Sequence, residues 1–247
     1  PNGGLWRTNN NGASWTCLTS YLPVAGVSGI VVSYADPNII YILTGNGDDQ
    51  NITTVTPGIF SSAGIFKTTD GGINWVQLTL PWGATTTFGI APYKLVQSPR
   101  FPNKLLAATS YGLFYSSNGG NTWSTKYTVR CYDVDFVPGK DTAWCALESP
   151  AGTHIKRSTD GGISWGNVSF GAAPNTPIPN PASRISIAVS NVITGGIELA
   201  YIFCGPVTGP GAFSGLYKTG PAGFLQLARN TPNLFAINGS GADAYDQ

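Results

Sequence analysis

Apolar residues run through this chain in short stretches, each closed by glycine, proline, asparagine, aspartate or serine. Residues 27–33 (Val-Ser-Gly-Ile-Val-Val-Ser) lead into Asp36-Pro37-Asn38, and residues 39–43 (Ile-Ile-Tyr-Ile-Leu) follow. Runs this short, rich in β-branched and aromatic residues and bounded by turn formers, predict strands. The same grouping recurs four times. The first set is 27–33, 39–43, 65–68 and 75–78, and the second is 94–97, 104–109, 112–116 and 123–126. The third is 131–137, 142–147, 154–158 and 165–168, and the fourth is 184–190, 199–204, 215–219 and 224–228. Residues 4–18 hold a strand, a turn and a strand with nothing before them, and 234–238 is one further apolar run.

A motif sits between the third and fourth strand of each set. Thr8, Asn10, Gly12 and Trp15 repeat as Thr68, Asp70, Gly72 and Trp75, as Ser116, Asn118, Gly120 and Trp123, and as Ser158, Asp160, Gly162 and Trp165. Hydroxyl and Asx side chains accept hydrogen bonds from nearby backbone N–H groups, and glycine supplies positive φ, so the motif reads as a hairpin turn. A shortened copy with Phe224 for the tryptophan follows at residues 218–224. Trp15, Trp75, Trp123, Trp165 and Phe224 stand 60, 48, 42 and 59 residues apart, as constant strands with variable loops require.

The pattern Ser/Thr-x-Asp-x-Gly-x-x-Trp resembles the Asp-box, or BNR repeat, of sialidases, sortilin-type Vps10 domains, xyloglucan-cleaving propellers and photosystem-assembly propellers. The resemblance implies an all-β propeller of four-stranded antiparallel blades, with the box turn away from the ligand face. The blades fall at residues 24–80, 85–128, 129–170 and 182–229. A half blade spans 1–18 and a candidate closing strand lies within 233–247. Two arrangements remain open, a closed five-bladed ring and part of a larger propeller. The second is favoured because relatives carry more blades and an unclosed ring leaves a sheet edge bare.

Composition narrows the partners. Charged residues are 10% of the 247 and the net charge is +1, so nucleic acid and anionic membranes are not expected. No apolar run reaches the roughly 18 residues of a spanning helix. The absence of methionine and the start at Pro1 are read as a removed leader or a larger parent chain, and the low charge with abundant Asn, Thr, Ser and Gly suggests a secreted or cell-surface bacterial protein. Cys17, Cys131, Cys145 and Cys204 lack metal-ligand spacing, and His154 is the single histidine, so neither a metal nor another cofactor is expected. Cys131 and Cys145 flank a turn, which leaves two readings: a disulfide between them, or four small buried residues.

The loops between second and third strands, and between sets, are expected to form the ligand face. Trp82, Phe88, Tyr93, Tyr127 and Arg130 are the candidate binding residues there, with Tyr111 as a further aromatic. A glycosidase needs two carboxylates, and Asp48, Asp49 and Glu148 are the rim candidates, with Asp133 and Asp135 on an inner strand. Sialidase chemistry would need three arginines around a substrate carboxylate, whereas Arg7 and Arg157 precede box turns and read as structural. The leading function is therefore a non-catalytic module that binds protein or glycan. The runner-up is a glycoside hydrolase of the xyloglucan-cleaving type. A third class, an assembly or sorting factor, lacks the basic or hydrophobic loop patch it would need.

Overall fold

A computed structural model describes residues 3–23, 26–47, 62–79, 90–148, 154–168, 185–194, 196–205, 215–220 and 223–228. All regular elements among them are strands. β1 (Trp6–Arg7) and β2 (Thr16–Cys17) form a two-stranded sheet. Four antiparallel sheets of four strands follow in chain order: β3 (Val27–Val32), β4 (Ile40–Thr44), β5 (Ile65–Thr68) and β6 (Val76–Gln77); then β7 (Pro92–Gln97), β8 (Leu105–Thr109), β9 (Gly112–Ser116) and β10 (Ser124–Tyr127); then β11 (Cys131–Phe136), β12 (Ala143–Leu147), β13 (Ile155–Ser158) and β14 (Gly166–Asn167); then β15 (Ile185–Thr194), β16 (Ile197–Cys204), β17 (Gly215–Gly220) and β18 (Gly223–Ala228). The chain divides into two compact units, Pro1–Gln97 with Phe101–Thr128, and Ser98–Arg100 with Val129–Gln247.

Burial is graded across each sheet. The second strands β4, β8 and β12 are buried at every position, while the short fourth strands β6 and β14 are exposed at both of theirs. In the first unit, Leu43, Ile65, Leu95, Leu105, Ala107 and Phe114 pack between two sheets, and Leu5 and Leu18 of the half sheet cover Ile40, Ile42 and Phe66. In the second unit the core gathers Tyr132, Trp144, Ile187, Ile202 and Tyr217.

The four repeated turns share one hydrogen-bond set. Thr68 Oγ1 donates to Asp70 Oδ1 at 2.7 Å and accepts from Gly72 N–H at 3.0 Å, and Asp70 Oδ1 also accepts from Ile73 and Asn74 N–H. Ser158, Asp160 and Gly162 repeat this at 2.7 and 2.8 Å. Thr8 with Asn10, and Ser116 with Asn118, do so through the amide oxygen, leaving the amide nitrogen to donate to Ser14 and Thr122 at 2.8 Å. Two consecutive residues take positive φ in each turn. They are Gly71–Gly72, Gly119–Gly120, Gly161–Gly162 and, with asparagine first, Asn11–Gly12. A Cβ on Gly72 or Gly120 would also stand 2.7 Å from Leu18 or 2.5 Å from Leu78, so the second glycine lets the neighbouring sheet approach.

Asp70 is held down to about 2, first by the Asn74 backbone N–H and then by the Thr68 hydroxyl and Asn74 amide. For Asp160 burial is the largest single influence and pushes upward. The hydroxyl and N–H of Ser164, the Ser158 hydroxyl and the Ile163 N–H together outweigh it and hold the carboxyl at about 2. A depressed folded-state pKa means stability that is present above the ordinary value of 3.8 and lost as pH falls toward 2. The Asn10 and Asn118 turns do not titrate. Urea midpoints taken from pH 5 to 2.5 should fall for the parent and fall less for Asp70→Asn/Asp160→Asn; parallel curves would refute the assignment.

One expectation is corrected. All four cysteines are free thiols, so the Cys131–Cys145 disulfide is absent. The register pairs Cys145 with Val134 and Cys131 with Leu147, past a bulge. The two residues are therefore diagonal rather than directly opposite, and their thiols stand as neighbours with no bond between the sulfurs. The fifth, shortened motif keeps its hydroxyl residue with other partners. Thr219 Oγ1 donates to Glu198 O and accepts from Ala200 N–H, both at 2.9 Å, and Gly220 pairs directly with Gly223. Lacking the aspartate and two residues of loop, the hydroxyl turns to the neighbouring strand instead.

Candidate functional site

In the first unit the strand ends of one sheet collect tyrosines. Pro92 at the start of β7 pairs with Thr109 at the end of β8, and Tyr127 at the end of β10 pairs with Leu113. Tyr93 and Tyr127 are thereby half-buried at the same end as the two-residue turn that carries Tyr111, which is 47% exposed. Ser110 fixes that turn through reciprocal bonds with Ala91, its N–H to Ala91 O and its Oγ from Ala91 N–H, both at 2.9 Å. Gly112 has φ +149, and a Cβ there would fall 2.1 Å from Tyr127 O, so only glycine admits this closure. Rigid, partly exposed aromatic rings at strand ends suit stacking against the faces of sugar rings, since they offer large apolar area with little rotamer freedom to lose.

In the second unit the corresponding end of β11–β14 carries Arg130, Tyr132, Glu148 and His154. Arg130 O accepts from Glu148 N–H at 2.8 Å, and the guanidinium lies 5.7 Å from the Tyr132 ring centre. Burial pushes the Tyr132 phenol above its ordinary value, the Glu148 charge adds to this, and Arg130 opposes it. His154 is buried, with Nδ1 3.0 Å from Leu147 O. A carbonyl only accepts, so Nδ1 carries the proton, and the buried Nε2 is an acceptor without a partner.

Most described carboxylates are already committed. Asp36 caps a turn through Asn38 N–H, Asp141 accepts from Ser98 Oγ, and Asp70 and Asp160 hold box turns. Asp133, a catalytic candidate from sequence, is buried and accepts from Val134 N–H and, across to the next sheet, Ile187 N–H at 2.7 Å. Glu198 is gripped by both Arg157 Nε and Nη2, at 2.8 and 2.9 Å. Glu148 remains as an exposed carboxylate at the rim. Asp135, next to last on β11 and opposite Trp144, lies toward the other end of the sheet. Asp48, Asp49, Trp82 and Phe88 lie outside the described residues. Burial raises the Cys204 thiol to about 12 and, together with the Cys131 thiol, lifts Cys145 well above its usual value, so neither is a nucleophile. Sequence reasoning missed Tyr132, which reads as an ordinary strand residue beside Arg130.

No family model matches the chain. A xyloglucanase of a Paenibacillus species is 26% identical over 204 residues, 66% of this chain and 18% of that protein. A xyloglucanase of Acetivibrio thermocellus is 24% identical over 243 residues, 85% of this chain and 27% of that protein. Among solved structures, the GH74 enzyme of Niastella koreensis superposes with a TM-score of 0.60 at 20% identity, covering 94% of this chain and 35% of that one. The GH74 xyloglucanase of Xanthomonas campestris does so with 0.61 at 18%, covering 92% and 35%. The chain thus spans between a fifth and about a third of the length of these relatives. Four-stranded antiparallel sheets in series and these neighbours make the fold a partial β-propeller, related to those of glycoside hydrolases.

Proposed function

We propose that this chain is an Asp-box propeller segment of an extracytoplasmic protein, and that it contributes polysaccharide binding, of the β-glucan class that xyloglucanases act on, rather than bond cleavage. The observation that carries this reading is the division of side chains at the strand ends. Tyrosines Tyr93, Tyr111 and Tyr127 are presented at one sheet end. Glu148 is the exposed rim carboxylate among the described residues, and hydrolysis would need a second one flanking the scissile bond, the place that Asp48 or Asp49 would have to take. Glycan is favoured over a protein ligand by the xyloglucanases among the relatives.

The test is affinity electrophoresis against xyloglucan, mixed-linkage β-glucan and mannan, run beside a reducing-sugar assay. Retardation by a β-glucan without sugar release is expected, and Tyr111→Ala should weaken it roughly tenfold, about 1.4 kcal/mol. Hydrolysis is the second reading, favoured by the same relatives. Sugar release that Glu148→Gln abolishes would establish it, with Asp48 or Asp49 as the partner acid.

A further inference from the structure

Both outer strands of the β7–β10 sheet lose their register at the same end, and a tyrosine stands at each break. On β7 the pairing with β8 slips between Pro92 and Lys94, so Tyr93 is the extra residue of a bulge. On β10 the pairing with β9 slips between Thr125 and Tyr127, so Lys126 is the extra residue and Tyr127 closes the ladder opposite Leu113. A bulge re-aims the side chains at and beside it. Strict alternation would set Tyr93 on the face of buried Leu95, whereas Tyr93 and Lys94 are part-exposed in succession.

The other sheets use these positions differently. The first-strand bulge recurs at Ser28 on β3 and at Tyr132 on β11. Ser28 Oγ donates to Gly45 O at 2.7 Å and accepts from Gly47 N–H at 3.1 Å, so it serves its own loop, and Tyr132 is buried. The β5–β6 and β13–β14 ladders are two pairs long and carry no bulge. An accessible ring at both outer strands is thus particular to the β7–β10 sheet among these three.

The strands of that sheet lie in the order β10, β9, β8, β7. Tyr127 on β10, Tyr111 on the β8–β9 turn and Tyr93 on β7 therefore follow one another across the sheet end. Three strand spacings make the row about 14 Å long, with Tyr111 near its middle. Its parts are tied together. Tyr111 N–H donates to Thr109 Oγ1 at 3.1 Å, and that hydroxyl donates to Gly112 O at 3.2 Å. Ser110 bonds both ways to Ala91, two residues before Tyr93. A Cβ on Gly47 would stand 1.9 Å from Pro92 O and 3.2 Å from Tyr93 Cδ1, so the segment after β4 backs the Tyr93 ring.

We propose that Tyr127, Tyr111 and Tyr93 form one stacking track that takes three consecutive sugar residues of a β-glucan chain laid across the sheet end, from its outermost strand to its innermost. The track presupposes the glycan binding proposed above and adds to it a length and a direction. A row of about 14 Å has room for about three sugars. Rings fixed before the ligand arrives lose little freedom on binding, so each stacked sugar contributes to affinity.

Calorimetric titration with cello-oligosaccharides of two to six sugars, run beside polymer retardation, reads the length of the track. Affinity should rise roughly fivefold from the disaccharide to the trisaccharide and by less than about twofold beyond it. Tyr93→Ala and Tyr127→Ala each remove one end and should abolish the rise at the third sugar. Tyr93→Phe keeps the ring and should preserve it. An affinity in the parent that is flat from the disaccharide or still climbing at the sixth sugar would overturn the track, as would end variants that keep the parent's rise; polymer retardation would then still uphold glycan binding. Absence of polymer retardation would overturn both.

Discussion

Trp144→Ala is expected to lower stability by about 4 kcal/mol, the range for emptying a large buried aromatic site. For a chain of this size that moves the melting temperature down by roughly 10 °C. Trp144 is fully buried at the second position of β12, between Asp135 on one neighbouring strand and Arg157 on the other. It packs in the core with Tyr132, Ile187, Ile202 and Tyr217, so its loss empties the centre of the second unit. The indole N–H is buried without a hydrogen-bond partner, and a buried unpaired donor costs about 1–3 kcal/mol. Trp144→Phe removes that donor while keeping most of the ring, and should cost about 1 kcal/mol. Calorimetric melts of both variants decide the matter. Equal losses would mean that the indole N–H finds a partner, and that the ring does not act as a packing element.

The parts of this fold that could be read from sequence are those whose hydrogen bonds close within one turn. Thr68, Asp70 and Gly72 satisfy one another across four residues, so their spacing alone announces the turn and the strands on either side. Long-range partnerships left no such trace. Asp133 looks like a free acid until Ile187 N–H is found 54 residues away, and Glu198 is silent in sequence although Arg157 binds it from 41 residues away. The cysteine pairing failed on the register of the hairpin, which sets Val134 opposite Cys145 and Cys131 opposite Leu147 and is fixed by the whole strand pair, not by any local pattern. In the shortened motif Thr219 keeps its identity but has Glu198 O and Ala200 N–H as partners, which the local pattern does not record. At the candidate site, strand-end position was enough to single out Tyr93, Tyr111, Tyr127, Arg130 and Glu148. Tyr132 needed the structure, because its surroundings come from the Arg130 guanidinium near its ring and the Glu148 carboxylate just past the end of β12.

The second large effect is expected at Glu198, and it bears on what Arg157 is for. Both its oxygens accept from the Arg157 fork, Lys140 stands 3.7 Å away, and the Glu198 side chain is 4% exposed. Burial is the strongest influence on its carboxyl and pushes upward. The Arg157 hydrogen bonds, a backbone N–H and the two cationic charges together outweigh it, so the net shift is downward. The stability this pair supplies is therefore present above the ordinary carboxylate range and lost as pH falls through the folded value. Glu198→Ala leaves a part-buried guanidinium facing an empty site and should cost about 3 kcal/mol, the low end for breaking a buried pair because Arg157 is 26% exposed. Glu198→Gln keeps one acceptor and should cost about half of that. The double variant Arg157→Met/Glu198→Leu removes both charges together and should be more stable than Glu198→Ala, since apolar replacement of a whole pair is often near neutral. Urea midpoints at pH 7 of the parent, Arg157→Met, Glu198→Leu and the double variant complete the cycle. A double variant as weak as the sum of the singles would show the two groups acting independently, and Arg157 would return as a residue available to an acidic ligand. With the pair coupled, that guanidinium is spent on joining β13 to the next sheet, and anionic sugars lose a candidate binding group in the second unit.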